Sequence, residues 1–282
     1  MRRPPHELRA RALELGYGGE PVVRGVDVAV PDGRITMIVG ANACGKSTLL
    51  RGLARLLRPQ GGEVVLDGRR VQDMRNIEVA RVIGMLPQTP VAPDGITVGD
   101  LVGRGRYPHQ GWFRHWDAGD EAAVTAALEA TGTAALVARP VAELSGGQRQ
   151  RVWVAMALAQ DTDLLLLDEP TTFLDIAHQV ELLDLLTDLN RGTGATIVVV
   201  LHDLNLACRY ADHLIAMKDG GILAEGPPAE VVDTAMIAAT FGLDCEVVRD
   251  PVSGTPMVVP RGRHHASAPA GAAGDVAPRH SR

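Results

Sequence analysis

Lysine is nearly absent from this sequence, aromatic side chains are few and no long apolar run occurs. The longest aliphatic stretches, residues 164–167 and 196–201, are far too short to span a bilayer, and no signal-peptide core is visible. The three cysteines form no CxxC pair, which argues against a disulfide framework or a zinc site. A net charge of −6 argues against a nucleic-acid partner. We therefore expect a protein of a reducing compartment that reaches a membrane only through a partner.

A glycine-bounded loop lies between a predicted strand and a predicted helix. Residues 35–39 form an apolar run, and leucines recur after the loop at helical spacing to about Leu57. The loop ends in Gly-Lys-Ser, a pattern in which backbone N–H groups at a helix amino terminus hold the phosphates of a nucleotide. Lys46 would contact the β- and γ-phosphates, and Ser47 would bind Mg²⁺. The residues predicted to bind a nucleoside triphosphate here are Gly40, Ala41, Asn42, Ala43, Cys44, Gly45, Lys46, Ser47 and Thr48.

The identity of the lysine strengthens this interpretation. The chain has 28 Lys and Arg residues together, of which only Lys46 and Lys218 are lysines. A compact ammonium on a flexible stem suits a phosphate better than a planar guanidinium does, so lysine stands in the loop of a chain that otherwise uses arginine. Cys44, inside the loop, is either an activated thiol or a small residue that fits.

A second motif follows a buried strand. Residues 164–167 are an aliphatic run typical of a strand covered on both faces, and they lead directly into Asp168, Glu169 and Pro170. A carboxylate at the end of such a strand can hold Mg²⁺, which suits Asp168. Glu169 is suited to activate water as a general base.

A third motif begins a predicted helix. Ser145, Gly146, Gly147 and Gln148 form a second anion-binding helix start. One nucleotide needs only one phosphate-binding loop of this kind in a chain. The segment therefore serves a nucleotide bound by a second subunit, or it is an ordinary helix cap.

Strand-like and helix-like segments alternate along most of the chain. Strands are predicted at residues 63–66, 82–86, 164–167 and 196–201, and Asp117 is the predicted cap of a helix to Thr131. A further helix carries Ile176, Val180, Leu183 and Leu186 on one face. This alternation predicts an α/β fold with a mainly parallel sheet.

With these motifs in this order, the sequence resembles the ATP-binding cassette (ABC) family. Leu-Ser-Gly-Gly-Gln ahead of the Asp-Glu-Pro strand is highly specific for that family. The resemblance implies a P-loop NTPase core with an antiparallel β subdomain and an inserted helical subdomain at about residues 95–155, all within one domain at residues 1–260. It also implies a head-to-tail homodimer that closes on two ATP molecules and reopens on hydrolysis.

The resemblance also implies roles for residues outside the loop. Tyr17 corresponds to the aromatic side chain that stacks on adenine, and Gln88 to the glutamine that senses Mg²⁺ and contacts the membrane partner. Asp175 lies in the loop that bridges the subunits, and His202 corresponds to the histidine that contacts the γ-phosphate. Ala41 departs from the family, which usually has proline there; no ligand is lost, so we expect activity to survive. The implied catalytic residues are Glu169, His202, Lys46 and Gln88, and the implied metal ligands are Ser47, Gln88 and Asp168.

Beyond these motifs, three segments of the sequence are similar to the ATP-binding proteins of iron-chelate importers, above all those for ferric siderophores. Residues 97–109, 171–179 and 250–260 carry that similarity. It implies a transport ATPase of the translocase class on the cytoplasmic face of the membrane, working with an integral permease and indirectly with an extracytoplasmic substrate-binding protein. Cobalamin or heme import would use the same motor. The rival functions are a cassette ATPase acting on nucleic acid or the ribosome, and a regulator without a transport role.

Two stretches keep alternative interpretations. Four of the nine aromatic residues lie between Tyr107 and Trp116, with Trp112 and Phe113 among them, and they would suit either a docking surface or core packing. Residues 261–282 are rich in alanine, glycine, proline and arginine, which predicts a disordered tail. The two adjacent histidines of the tail, His264 and His265, would bind a metal or simply be solvated.

Overall fold

The computed structural model describes residues 3–110 and 116–262. In chain order its strands are β1 (Leu8–Leu15), β2 (Val23–Val30), β3 (Ile35–Gly40), β4 (Gly61–Leu66), β5 (Arg69–Arg70), β6 (Ile83–Leu86), β7 (Leu164–Asp168), β8 (Thr196–Val200), β9 (His213–Lys218), β10 (Gly221–Gly226), β11 (Cys245–Arg249) and β12 (Pro256–Pro260). Its α-helices are α1 (Lys46–Leu53), α2 (Asn76–Val82), α3 (Val98–Gly103), α4 (Ala118–Ala130), α5 (Gly146–Ala159), α6 (Ile176–Thr193), α7 (Leu204–Tyr210), α8 (Pro228–Val231) and α9 (Thr234–Phe241).

The central sheet has six strands in the order β10-β9-β3-β8-β7-β6. All neighbours from β9 to β6 pair in parallel, and only β10 joins antiparallel, through the tight turn that follows β9. Every residue of β3, β7 and β8 is buried, as expected for strands that are covered on both faces. The predicted mainly parallel sheet is confirmed.

A separate antiparallel sheet has the order β2-β1-β4-β5. Buried and exposed residues largely alternate along β2, which is the pattern of a sheet with one face on the core. Its buried valines belong to the same apolar cluster as Leu49, Leu50 and Leu53 of α1. The implied antiparallel part of the fold is therefore present, and it packs against the helix that follows the glycine-rich loop.

Alternation along the central strands divides the core into two layers. Met37, Leu165 and Val199 belong to one apolar cluster, together with side chains of α5, α6 and α7. Ile38 and Leu166 belong to the other, together with α1 and the antiparallel sheet. Because neighbouring residues of a strand point to opposite faces, helices cover one face of the sheet while α1 and the second sheet cover the other.

The first helix is shorter than its leucine spacing predicts. It ends at Leu53, whereas the leucines continue to Leu57. Arg55 adopts a left-handed backbone conformation with φ 61°, and the N–H groups of Leu56 and Leu57 both donate to the carbonyl of Arg51. This turn caps the helix and redirects the chain, so Leu56 is exposed.

The helices between α3 and α5 lie where a helical subdomain is expected. Asp117 caps α4, as predicted, while Ser145 caps α5, which continues past residue 155 to Ala159. The division into a domain at 1–260 with a subdomain at about 95–155 stays a prediction. Trp112, Phe113, His264 and His265 lie outside the described residues, as does nearly all of the expected tail.

A buried ion pair holds this helical region together. The Nε of Arg106 donates to Oδ1 of Asp120 at 3.0 Å, and its Nη1 donates to the carbonyl of Ala159 at 2.8 Å. Both side chains are almost fully buried, and Asp120 also completes the capping box of α4. The pair therefore joins the 3₁₀ turn Arg104–His109 to α4 and to the end of α5.

We expect the Asp120→Asn substitution to lower the free energy of unfolding by about 3 kcal/mol, because it leaves the buried guanidinium without its counter-charge. Urea denaturation of the full chain measures the change. The control is Glu7→Gln, which removes an ion pair with Arg9 that is about half exposed on both sides; it should cost less than about 1 kcal/mol. Equal costs for the two substitutions would contradict the role given to the buried pair.

Candidate active site

The carboxyl ends of the parallel strands carry the predicted functional residues. Gly40 ends β3 and Asp168 ends β7, while His202 follows β8 and Gln88 follows β6. In open α/β sheets this edge is where ligands bind. The strand order brings together residues that are far apart in sequence, and the site is built on this edge.

The glycine-rich loop wraps from β3 into α1. A β-carbon at Gly40 would lie 2.3 Å from the carbonyl oxygen of Met217, so only glycine fits there. Gly45, with φ 106°, begins α1, and among the described residues no side chain caps this helix. By contrast, a Ser or Asp side chain caps each of α4, α5, α6, α7 and α9. The first-turn N–H groups of α1 are therefore available for an anion.

Lys46 lies in the first turn of α1 and points back across the loop. Its Nζ donates to the carbonyls of Gly40 and Ala41, both at 2.9 Å, and the residue is only 5% exposed. Ala41 therefore contributes a backbone acceptor, which does not depend on its side chain. Cys44 is buried beside Gly40, which favours its interpretation as a small residue that fits.

Ser47 and Asp168 form the oxygen-rich part of the site. The Oγ of Ser47 donates to Oδ1 of Asp168 at 2.7 Å, and Asp168 is fully buried. Burial raises the pKa of Asp168, Glu169 raises it further, and the hydrogen bond from Ser47 opposes the rise. Oδ2 of Asp168 makes no hydrogen bond within the described residues. A buried carboxylate oxygen without a partner, beside a hydroxyl, fits a hard cation such as Mg²⁺.

We expect the Asp168→Asn substitution to raise the free energy of unfolding of the metal-free protein at pH 7 by about 1 kcal/mol, because it removes a buried charge. The gain should be absent below pH 3.8, the ordinary pKa of an aspartate. It should grow as the pH rises from 3.8 to the raised pKa of Asp168 in the folded protein. In that interval the unfolded wild type releases a proton that the folded wild type keeps, so wild-type stability falls. Thermal unfolding in EDTA, with the exposed Asp188→Asn as control, measures the difference. If the Asp168→Asn variant is less stable than wild type at pH 7, the expectation is wrong.

Glu169 and His202 form a second pair next to Asp168. The Nε2 of His202 lies 2.7 Å from Oε1 of Glu169. Glu169 is buried, whereas His202 is half exposed at the mouth of the site. Glu169 has φ 52°, a left-handed conformation that is strained for a residue with a side chain. Nothing in the residue pattern indicates this turn, which aims the carboxylate at His202 instead of continuing β7.

Tyr17 lies at the side of the loop with its ring mostly exposed. Its hydroxyl accepts a hydrogen bond from Nη1 of Arg51 at 3.0 Å and lies 3.5 Å from Oγ1 of Thr48. Both partners belong to α1, so the ring is held next to the phosphate-binding loop with a face free to stack. Sequence reasoning missed Arg51, although its place one helical turn after Ser47 on α1 was a usable signal.

A cavity of about 490 Å³ connects most of these residues. It is lined by Val22, Asn42, Ala43, Cys44, Gly45, Lys46, Ser47, Thr48, Gln88, Glu169 and His202. Val22 was not anticipated from the sequence. The cavity joins the loop, a general-base candidate and a glutamine, as expected of a site for phosphoryl transfer.

The remaining predicted residues lie on a different surface, outside this cavity. Ser145 caps α5, and a β-carbon at Gly147 would contact Leu174 at 3.6 Å, so the two segments lie side by side. Asp175 caps α6, and its pKa is lowered by hydrogen bonds from the backbone and the ring of His178. Phe173 and Ile176, each 78% exposed, flank this surface. Ile176 therefore does not share the buried face of α6 that its spacing predicts.

These features define the class of the protein. A phosphate-binding loop, a strand-end aspartate that fits a metal and a glutamate next to it, on one edge of a parallel sheet, are the parts of a P-loop nucleoside triphosphatase. A model of the ABC transporter family matches residues 23–172, which is just over half of the chain. The chain belongs to the ABC transporter family, and it is an ATP-binding cassette ATPase.

The chain is similar to ATP-binding proteins of iron-chelate transport over most of its length. It is 53% identical, over 91% of its own length and 95% of the relative, to the achromobactin transport ATP-binding protein CbrD of Dickeya dadantii (strain 3937). It is 55% identical, over 91% of its length and 94% of the relative, to the ferric enterobactin transport ATP-binding protein FepC of Escherichia coli (strain K12). The resemblance to this group that the motifs indicate is confirmed.

Solved structures show the same architecture. The ATP-binding cassette MJ0796, in a dimeric post-hydrolysis state bound to ADP and Pi, matches with a TM-score of 0.69 and 28% identity, over 78% of this chain and 98% of that one. The cassette fold expected from the motifs is therefore confirmed. No helix in the described part of this chain is long and apolar enough to cross a membrane.

Proposed function

We propose that this chain is the motor subunit of an importer that couples ATP binding and hydrolysis to uptake of a ferric siderophore across the cytoplasmic membrane. The observation that carries the motor role is the cavity in which the loop, Gln88, Glu169 and His202 meet. The cargo is supported by the names of the relatives, which share more than half of the aligned residues.

The chemical roles follow from what each side chain can do. Glu169 is the general base that takes a proton from the attacking water, because it is a buried carboxylate at the carboxyl-end edge of the sheet. His202 orients Glu169 through their 2.7 Å contact and reaches the γ-phosphate from its half-exposed position. Lys46 and the uncapped start of α1 bind the phosphates. Tyr17 stacks on the adenine ring.

Ser47, Asp168 and Gln88 are the residues that would hold Mg²⁺. A hydroxyl, a carboxylate and an amide supply the oxygen ligands that this ion prefers. When bound, Mg²⁺ supplies positive charge that stabilises the phosphate oxygens during hydrolysis. Gln88 lies after β6, at the start of the segment that leads to the helical region, so it is placed to link the metal to that region.

A second copy of the chain completes the site. Ser145, Gly146, Gly147 and Gln148 lie outside the cavity on an exposed helix start, next to Asp175. The Ser145 cap occupies the N–H of Gln148 and leaves the N–H groups of Gly146 and Gly147, in the first turn of α5, for the phosphates of a nucleotide bound by a partner. The exposed Phe173 beside it is an apolar side chain suited to burial in such an interface. We therefore assign a head-to-tail homodimer with two ATP molecules between the subunits.

The permease is proposed to dock on the helical region. A groove of about 880 Å³ lies between residues 93–110 and α4. Tyr107, 59% exposed, and the partly exposed Trp116 line it, which favours docking over core packing for these two aromatics. This contact would place the chain on the cytoplasmic face of the membrane, with an extracytoplasmic binding protein acting on the permease from the other side.

The test is uptake of a radiolabelled ferric siderophore by cells that lack this gene. The cells receive wild type, Glu169→Gln or an empty vector, and labelled cobalamin and heme are assayed in parallel. Rescue of siderophore uptake by wild type alone supports both the ATP-driven motor and the cargo. Rescue of cobalamin or heme uptake alone overturns the cargo and keeps the motor. Equal rescue by wild type and Glu169→Gln overturns the motor role of Glu169.

A further inference from the structure

Helix α7 begins directly after the histidine of the active site. His202 is two residues beyond the end of β8, and Asp203 caps α7 by accepting a hydrogen bond from the N–H of Leu206 at 2.9 Å. Only Asp203 separates His202 from the first residue of the helix. The position of α7 therefore sets where the imidazole lies relative to Glu169.

The side chain of Asn205 ties α7 to the last strand of the fold. Its Nδ2 donates to the carbonyl of Val258 at 3.2 Å, and its Oδ1 accepts from the N–H of Val258 at 2.8 Å. One amide side chain thus satisfies both backbone groups of a residue in β12, as a neighbouring strand would. This contact lies on the first turn of α7, three residues after His202.

A second contact joins the other end of α7 to the same hairpin of β11 and β12. The Nε and Nη2 of Arg209 donate to Oδ2 of Asp250 at 3.2 and 2.6 Å. Oδ1 of Asp250 accepts from the N–H of Val252 at 2.9 Å, inside the turn that connects the two strands. The guanidinium holds the pKa of Asp250 well below its ordinary value. The hairpin therefore holds α7 at both ends.

Helix α7 has other contacts besides the hairpin. The hydroxyl of Tyr210, at its last residue, donates to Oδ1 of Asp184 in α6 at 2.8 Å, and partly buried side chains of α7 pack against the core. The helix has seven residues, and a helix of that length is not stable by itself. Its fully buried side chains are the small Ala207 and Cys208. Small buried side chains provide little apolar area to lock a helix in one orientation. Near His202, the two hydrogen bonds between Asn205 and Val258 join the first turn of α7 to another element, so they set the orientation of that turn.

We propose that the β11–β12 hairpin positions His202 for ATP hydrolysis, and that Asn205 is the positioning residue through which it acts. The proposal rests on the catalytic role proposed above for His202. The nucleotide is bound by α1 and the loop before it, which the hairpin does not carry. Loss of the Asn205 contact should therefore lower the turnover number without lowering nucleotide affinity.

The test is a kinetic cycle on the full-length chain with His202→Ala, Asn205→Ala and the double variant, using labelled ATP so that low rates remain measurable. We expect Asn205→Ala to lower kcat about 10-fold and to change KM for ATP by less than about twofold. In the His202→Ala background the same substitution should have no further effect, because the residue it acts through is gone. The control is Glu246→Gln, which removes an exposed ion pair with Arg261 on the same hairpin and should leave kcat unchanged.

Equal kcat losses from Asn205→Ala in both backgrounds would overturn the positioning role, because a purely structural effect does not depend on His202. A rise in KM that matches the fall in kcat would overturn it as well. If His202→Ala retains wild-type kcat, the proposed catalytic role of His202 is wrong, and the positioning role is wrong with it. The kcat of the single variant His202→Ala therefore distinguishes this outcome from a failure of the positioning role alone. Should Asn205→Ala not fold, Asn205→Asp replaces it in the cycle, because it keeps the acceptor for the N–H of Val258.

Discussion

Replacing Glu169 with glutamine should lower the turnover number for ATP hydrolysis by at least about 100-fold, the usual contribution of a general base. The amide keeps the size of the side chain and can still accept a hydrogen bond from His202, but it cannot take a proton from water. The loop, Lys46 and Ser47 are untouched, so affinity for ATP should stay within about twofold of wild type. Phosphate release measures the turnover, and titration with a fluorescent ATP analogue measures the affinity.

The same variant should accumulate as a dimer when ATP is present. In the proposed cycle ATP stabilises the closed dimer and hydrolysis reopens it, so a protein that binds without hydrolysing remains in the closed state. Light scattering after gel filtration, with and without ATP, gives the mass. The control is Glu181→Gln, an exposed glutamate of α6, which should hydrolyse ATP and dimerise like wild type. Wild-type turnover in Glu169→Gln would assign the base to another group, and a monomer with bound ATP would contradict the dimer cycle.

The sequence was sufficient to predict the parts of the site that depend on local pattern. The loop ends in Gly-Lys-Ser between an apolar run and a leucine-rich helix, and a strand and a helix form there, although α1 ends at Leu53 and not at Leu57. The aliphatic strand before Asp168 is likewise buried on both faces. A charged residue at the end of such a strand has to lie at the edge of the sheet, so its place in the site follows from local pattern alone.

Contacts between distant residues could not be predicted in the same way. Ser47 and Asp168 are 121 residues apart, and only the strand order brings them within 2.7 Å. The contact of Asn205 with Val258 uses backbone groups, which leave no mark on the amino-acid pattern. The motifs indicated which residues belong to one site, through resemblance, but neither spacing nor composition indicates which helix holds which strand.

Hydrophobic periodicity also predicts burial wrongly on the surface around Asp175. Ile176 has the spacing of a core residue of α6, yet it is 78% exposed beside Asp175. Hydrophobic spacing indicates that a side chain is buried away from water. It does not show whether that side chain is buried in the core or in an interface between subunits. The exposed Phe173 lies on the same surface, in the segment before α6. Both residues are explained by the proposed dimer.

Replacing Lys46 with arginine should abolish tight nucleotide binding, with affinity for ATP falling at least about 100-fold even though the charge is kept. Lys46 is 5% exposed and its Nζ lies 2.9 Å from two loop carbonyls, so the space is shaped for a compact donor. A planar guanidinium is larger and presents its donors in a fixed fork, which does not fit between these carbonyls and a phosphate. Titration with a fluorescent ATP analogue measures the loss.

The scarcity of lysine supplies the matched control and a second measurement. Lys218→Arg changes the only other lysine, an exposed side chain whose Nζ donates to the carbonyl of Ala239 at 2.6 Å, and ATP affinity should stay within about twofold of wild type. In the wild type an amine-selective reagent can modify only two side-chain amines, and ATP should slow modification of Lys46 while leaving that of Lys218 unchanged. Unchanged ATP affinity in Lys46→Arg, or equal protection of the two lysines, would mean that Lys46 does not contact the phosphates. The substitution is conservative in charge alone, so it separates the geometry of the loop from its net electrostatics.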